Sequence, residues 1–142
     1  MTERQLESSP DTPRGAVVRT AIGTIWLGMD GVVRGIVDRP REISTLEDAR
    51  DNLAAIAKVS LGRKRPVLSD GRRVRGADRA ARRHFAEHLP NVASAYAVLL
   101  DSPLSRMLIN LLLRIDAPKL PSKVFTDEND ALQWLYRFVD GA

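Results

Sequence analysis

Pro66-Val67-Leu68-Ser69-Asp70-Gly71 is the stretch on which the fold turns. It is a short apolar run bounded by turn residues, with Asp70-Gly71 as its end, and it reads as a buried strand. Its surroundings decide how that strand pairs. Upstream, Leu46, Ala49, Leu53, Ile56 and Ala57 recur at helical spacing. Ser44-Thr45-Leu46-Glu47 opens that helix as a capping box, with the Ser44 oxygen accepting from the Glu47 amide, and Gly62 stops it. Downstream, Asp78 caps a second helix that carries Ala81, Phe85 and Leu89 on its apolar stripe and ends before Pro90. A strand held between helices pairs in parallel through right-handed crossovers.

The alternation continues outward from there. Ala93 to Leu100 reads as another buried strand, and Ser102-Pro103 as an N-cap with proline at the first helical position. Leu104, Met107, Leu108, Leu111, Leu112 and Ile115 form the stripe of a third helix, which Pro118 and Pro121 separate from a short strand, Lys123-Val124-Phe125. Thr126 is expected to cap the last helix, with Asp127, Glu128 and Asp130 in its positive first turn. Toward the start of the chain, Val17–Leu27 and Val32–Val37 are apolar and β-branched, joined through Asp30-Gly31, both of which tolerate positive φ. The predicted order is β-β-α-β-α-β-α-β-α. This is a single α/β domain over residues 15–142, a mixed, mostly parallel sheet with an N-terminal hairpin and about four helices. Residues 1–14, rich in Ser, Pro, Thr and charge, read as a disordered leader.

The chain has 142 residues, enough for one domain that buries roughly 68–70% of its unfolded surface. It has no cysteine, which excludes disulfides and thiolate zinc sites and fits a reducing cytoplasm. Residues 1–14 lack the apolar centre of a secretory signal, and no stretch reaches the 18 or so apolar residues of a membrane span. The net charge is +4, unevenly spread. Between Arg63 and Arg83 nine basic residues are opposed only by Asp70 and Asp78.

The element order, together with Asp30-Gly31, Pro66-Val67-Leu68-Ser69-Asp70, Asp101-Ser102-Pro103-Leu104-Ser105-Arg106, and Phe125-Thr126 followed by Ala131-Leu132-Gln133-Trp134-Leu135, resembles the STAS domain of bacterial anti-sigma-factor antagonists and sulfate transporters. It is more closely similar to the SpoIIAA-like (STAS-like) bacterial proteins, which are also likened to CRAL-TRIO lipid-carrying domains. The resemblance covers residues 17–139 and implies a STAS-like fold and a regulatory role. In the antagonists, a strand ending in Asp leads to an Asp-Ser-Ser/Thr-Gly string whose first serine is phosphorylated, and the added charge breaks partner binding. Here the matching strand ends at Asp70 and the matching helix start reads Asp78-Arg79-Ala80. Arg79 stands at the acceptor position, so the serine phospho-switch is not expected.

In parallel sheets, ligands sit beyond the carboxyl ends of the strands. That edge is expected to collect Asp70, Arg72, Arg73, Arg75 and Asp78, then Asp101, Ser102, Ser105 and Arg106, then Thr126. Helix N-termini there offer free amides to an anion or an acidic partner. The competing reading makes Ser102 and Thr126 plain caps and pairs Arg106 with a carboxylate. His84-Phe85-Ala86-Glu87-His88 matches the H-x-x-E-H pattern, with His84 and His88 on one helical face, but no third metal ligand is identifiable and the arginines around it repel a cation. No Gly-rich phosphate loop, G-x-S-x-G elbow or cysteine nucleophile is present, so neither catalytic residues nor cofactors are expected. Nucleic acid is disfavoured because no aromatic residues interleave with the arginines. The third helix is apolar around more than one face and suits self-association as a homodimer. The leading reading is a non-enzymatic regulatory or binding module acting through protein contacts. The alternative is a carrier or sensor of a small anionic or lipid-like ligand, and a zinc hydrolase through His84 and His88 is remote.

Overall fold

Val67 and Leu68 lie buried in the interior of a six-stranded sheet whose strands stand side by side in chain order. The computed structural model describes residues 9–38, 45–72, 77–102 and 119–139. Strands β1 (Pro13–Arg19), β2 (Gly23–Gly28) and β3 (Val33–Val37) form an antiparallel meander. Strands β4 (Arg65–Asp70), β5 (Ala93–Leu99) and β6 (Ser122–Phe125) then add in parallel, beginning against β3. Helix α1 (Leu46–Val59) connects β3 to β4, α2 (Arg79–His88) connects β4 to β5, and α3 (Glu128–Leu135) follows β6. The mixed, mostly parallel α/β sheet expected from the sequence is present. Short 3-10 turns follow α2 at Leu89–Asn91 and α3 at Tyr136–Phe138. Three α-helices fall among the described residues; the helix expected over 104–115 lies outside them.

The opening hairpin is a three-stranded meander instead. The run Val17–Leu27 divides at a turn where the Thr20 amide donates to the Gly23 carbonyl (2.8 Å) and the Gly23 amide to the Thr20 hydroxyl (3.1 Å). No Asn-Gly or Asp-Gly pair marks this turn. A Cβ on Gly23 would lie 1.8 Å from the Ile36 carbonyl oxygen, so glycine is what the close strand approach requires. Strand β1 also begins at Pro13, inside the segment expected as a leader. Residues 10–12 bind the next turn, with the Met29 amide donating to the Thr12 carbonyl (2.9 Å).

Three local expectations shift by a residue or in kind. The α1 N-cap is Thr45 rather than Ser44: its hydroxyl accepts from the Asp48 amide (3.3 Å), and Asp48 reaches back to the Thr45 amide (2.9 Å). Glu47 stays exposed and pairs with Arg50. The α3 N-cap is Asp127 rather than Thr126, accepting from the Asp130 amide at 3.0 Å. At the β2–β3 turn only Gly31 has positive φ (84°). The Gly31 amide donates to Gly28 (3.0 Å) and the Gly28 amide to Val32 (2.9 Å), a three-residue loop closed by a left-handed glycine.

Pro66 sits in β4, between two neighbours, where its missing N–H breaks the ladder. The register against β5 slips there, Arg65 facing Ala93 and Pro66 facing Ala95. Beyond that point the pairing is regular, and the two sheet faces fill separately. Ile25, Leu27, Val33 and Val67 pack under Leu53, Ile56 and Val59 of α1 and under Leu89. Leu68, Ala97, Leu99 and Phe125 pack under Ala131 and Leu135 of α3. The alanines of β5 leave room for α3 to approach.

Arg34 brings a charge into this interior. Arg34 is 5% exposed. Its Nη1 and Nη2 donate to the two carboxylate oxygens of Asp30 (2.8 and 2.7 Å), and the Tyr136 hydroxyl donates to the same carboxylate at 2.8 Å. Burial pushes the Asp30 carboxyl up, but Arg34, the Val32 amide and Tyr136 together hold it below the ordinary 3.8. A depressed carboxyl stabilises the fold above its unfolded pKa, and that stability is lost as pH falls through the folded value. Urea unfolding is therefore expected to show stability dropping below about pH 4 in the native chain. Arg34→Met, which leaves the Asp30 charge buried and unpaired, is expected to cost about 3–5 kcal/mol at neutral pH. Equal stability of this variant and the native chain would show that the pair is not held as described.

Candidate functional site

The parallel register sets Ile36, Asp70, Leu99 and Phe125 in one row across β3 to β6. The row continues past the strands, with the Gly71 amide on the Leu99 carbonyl and the Leu100 amide on the Phe125 carbonyl, both 2.8 Å. Residues 70–72, 100–102 and 126–128 therefore share the carboxyl edge of the sheet. Asp70, Arg72, Ser102 and Thr126 come together there. Asp78 stands at the entry to α2, and Arg73, Arg75, Ser105 and Arg106 lie outside the described residues.

The polar groups of this edge are engaged with one another. The backbone amide and Nε of Arg72 donate to Asp70 Oδ1 (3.1 and 2.9 Å), and Nη2 to Oδ2 (2.7 Å). The hydrogen bonds to Asp70 raise the Arg72 pKa, and the charges of Asp70, Glu128 and Asp101 add to the effect. Among the described residues the edge is acidic: Asp70, Asp101, Asp127, Glu128 and Asp130 stand against Arg72. Asp78 is used as the α2 cap, accepting from the Ala81 amide at 2.7 Å. Arg79 is exposed in the first turn of α2. His84 and His88 do share a helical face, with ring centroids 4.3 Å apart. No group of three or more metal-ligating side chains occurs among the described residues.

A second region escaped the sequence reading. Helix α3 packs on β4, β5 and β6, while α1 covers the opposite face of β1 and β2. The face of the meander on the α3 side has no described helix over it. Val17 faces Trp26 across β1–β2, and Thr24 faces both Arg19 and Ile36, so these five residues share that face. Val17 is 47% and Ile36 36% exposed. Trp26 is half-buried, its Nε1 donating to the Asp11 carbonyl at 2.7 Å. A strand pattern shows that side chains alternate but not which face a helix will cover, so both apolar sets read as core.

The two kinds of polar contact predict a contrast. Arg72→Ala breaks a pair whose arginine is half exposed and is expected to cost less than about 1 kcal/mol. Asp78→Ala removes a helix cap and is expected to cost about 1 kcal/mol. Denaturant midpoints with unchanged slope read both. A loss of several kcal/mol for Arg72→Ala would mean that the edge is tied into the core.

Residues 25–139 match the model of a family described as a domain of unknown function, DUF7793. Among solved structures, the chain is similar to an uncharacterised protein of the DUF3478 family with a SpoIIAA-like fold from Shewanella loihica PV-4. The TM-score is 0.51 and the identity 18%, covering 84% of this chain and 90% of that one. That likeness is one of fold, and it agrees with the SpoIIAA-like resemblance read from the sequence. A protein of unknown function from Arthrobacter sp. FB24 is 32% identical, over 83% of this chain and 95% of that one, with a TM-score of 0.33. No curated protein matches the sequence. No helix among the described residues is long and apolar enough to cross a membrane.

Proposed function

This chain belongs to the DUF7793 family, a domain of unknown function, and we propose that it is a regulatory or binding module that works through protein contacts, without the serine phospho-switch of the antagonists it resembles. The observation that carries this reading is the sheet face with no helix over it among the described residues, where Val17 and Ile36 are exposed and Trp26 is half-buried. Apolar side chains aligned on a regular sheet make a flat, rigid docking surface. Engagement of Asp70, Arg72 and Asp78 with their own neighbours supports the same reading, because it leaves those groups little to offer a small ligand. The cysteine-free composition fits a cytoplasmic module.

The occupant that fits this face is a second copy of the chain. A two-fold contact brings each patch onto itself, so it must be self-complementary. Arg19, exposed and without a hydrogen-bond or ion-pair partner among the described residues, lies at one border of the patch on β1. Asp38, exposed and accepting from Thr24 Oγ1 at 2.7 Å, follows β3. Arg19 and Asp38 lie at the same end of the meander, one to either side of Thr24, and a charge of each sign suits a self-complementary contact, while an apolar area of a few residues suits a reversible one. Sedimentation velocity over a concentration series is expected to show a concentration-dependent dimer. Val17→Glu and Ile36→Glu, both at exposed positions, are expected to raise its Kd by about tenfold or more while leaving circular dichroism unchanged. A chain that is monomeric throughout, or a dimer indifferent to both substitutions, overturns the proposed contact.

A further inference from the structure

Helix α2 carries both histidines of the chain, His84 and His88. Its inward side is fixed by three residues. Ala81 and Leu89 are buried, and Phe85 meets the Tyr96 ring edge-on with centroids 5.3 Å apart. His84 and His88 stand one turn from each other on a flank of that stripe. Their ring centroids are 4.3 Å apart and the ring planes are tilted by 42°. His84 is half-buried and His88 exposed. Neither imidazole has a hydrogen-bond or ion-pair partner among the described residues, so the nitrogens of both rings are free to bind something else.

His88 has a ready structural reason, since it lies in the last turn of α2, where partial negative charge suits it. That reason does not extend to His84, a full turn earlier. Nor do the arginines of α2 surround the pair. At about 100° per residue around the helix, Arg79, Arg82 and Arg83 each lie about 100° or more from both rings, and the nearest charged side chain of α2 is Glu87, about 60° from His84. Arg82 is also engaged elsewhere, its Nη1 donating to the Ala77 carbonyl at 2.7 Å. The repulsion of a cation expected from the sequence is therefore directed to other sides of the helix.

The spacing of the rings fits one ion between them. An ion about 2.1 Å from a ring nitrogen is about 3.2 Å from that ring's centre. Two rings at a right angle on one ion then have centres about 4.5 Å apart, and at a tetrahedral angle about 5.2 Å; the observed separation is 4.3 Å. The right angle belongs to square-planar and octahedral ions, copper(II) and nickel(II) among them. Imidazole suits such borderline ions and is a poor ligand for magnesium and calcium, which take oxygen. We propose that His84 and His88 form a two-point binding site for a divalent transition-metal ion, with water in its remaining positions. The chain has no cysteine and no further histidine, so no thiolate or other imidazole competes for the ion. Helix α2 runs back from the carboxyl edge between β4 and β5. The pair thus lies away from Asp70 and Arg72, and it stands or falls independently of the contact proposed above.

The test is calorimetric titration of the full chain with copper(II), nickel(II), zinc, magnesium and calcium chlorides in a non-chelating buffer. Saturable binding of one ion per chain is expected, strongest for copper, weaker for nickel and zinc, and undetectable for magnesium and calcium. His84→Gln and His88→Gln are each expected to weaken copper binding by about tenfold or more, with circular dichroism unchanged. Copper is also expected to raise the melting temperature of the native chain and to leave that of either variant where it was. Failure of all three transition ions to bind below about 1 mM, or copper binding that survives both substitutions, overturns the site. Preference for magnesium or calcium overturns it as well, and places the cation on the carboxylates of the opposite edge.

Discussion

The bidentate pair between Arg34 and Asp30 is the constraint that the two ends of the described chain share. A guanidinium that is 5% exposed is tolerated only when its charge is met and its donors are used. Meeting that demand fixes much around it. Asp30 must sit in the β2–β3 loop with its carboxylate turned inward, so the loop takes three residues and closes on a left-handed Gly31. Gly28 must have no side chain, because a Cβ there would lie 2.2 Å from Arg34 Nη1. The remaining acceptor capacity of Asp30 takes the Tyr136 hydroxyl, 106 positions along the chain. The antiparallel meander is thereby tied to the turn after α3, over a face whose Val32 is fully buried.

Arg65 shows the same kind of side chain held differently. It is 6% exposed, and like Arg34 it lies toward the end of the sheet where β3 and β4 begin. Arg34 meets the Asp30 carboxylate and the Val32 carbonyl, whereas Arg65 Nε meets the Ser60 carbonyl at the end of α1. Burial by itself therefore says little about the role of a charged side chain, and the identity of its neighbours says more.

The strands that could be read directly were those whose boundaries are chemical. Pro66 and Asp70-Gly71 bracket β4 plainly, and Asp78 caps α2 where it was expected to. The one-residue shifts at Thr45 and Asp127 arose where two good caps are adjacent. Local pattern cannot rank such neighbours, whereas the angle at which the chain enters the helix can. The turn at Thr20 stayed hidden because a threonine hydroxyl and a glycine do the work usually announced by Asn-Gly or Asp-Gly. Arg34 was invisible for a different reason: a charged residue alternating with apolar ones in a strand reads as solvent-facing, and only the tertiary position of Asp30 and Tyr136 reverses that. The candidate carboxyl edge was legible because parallel register aligns strand ends automatically. That its described charges are mostly negative was not, since the described basic residues between Arg63 and Arg83 are divided among the start of β4, Arg72 and helix α2.

That division bears on how a module of this fold is regulated. In the antagonists that it resembles, one serine at a helix start converts a contact surface by acquiring charge. Here the corresponding Arg79 carries a permanent charge of the opposite sign, beside an aspartate already committed to capping. Arginine has no hydroxyl, so serine phosphorylation at that position is closed to it. The proposed self-contact leaves the concentration of the chain itself as a means of control, acting through the face of β1 to β3 that carries Val17 and Ile36. A two-fold contact there depends on concentration by mass action, so monomer and dimer exchange without any covalent change.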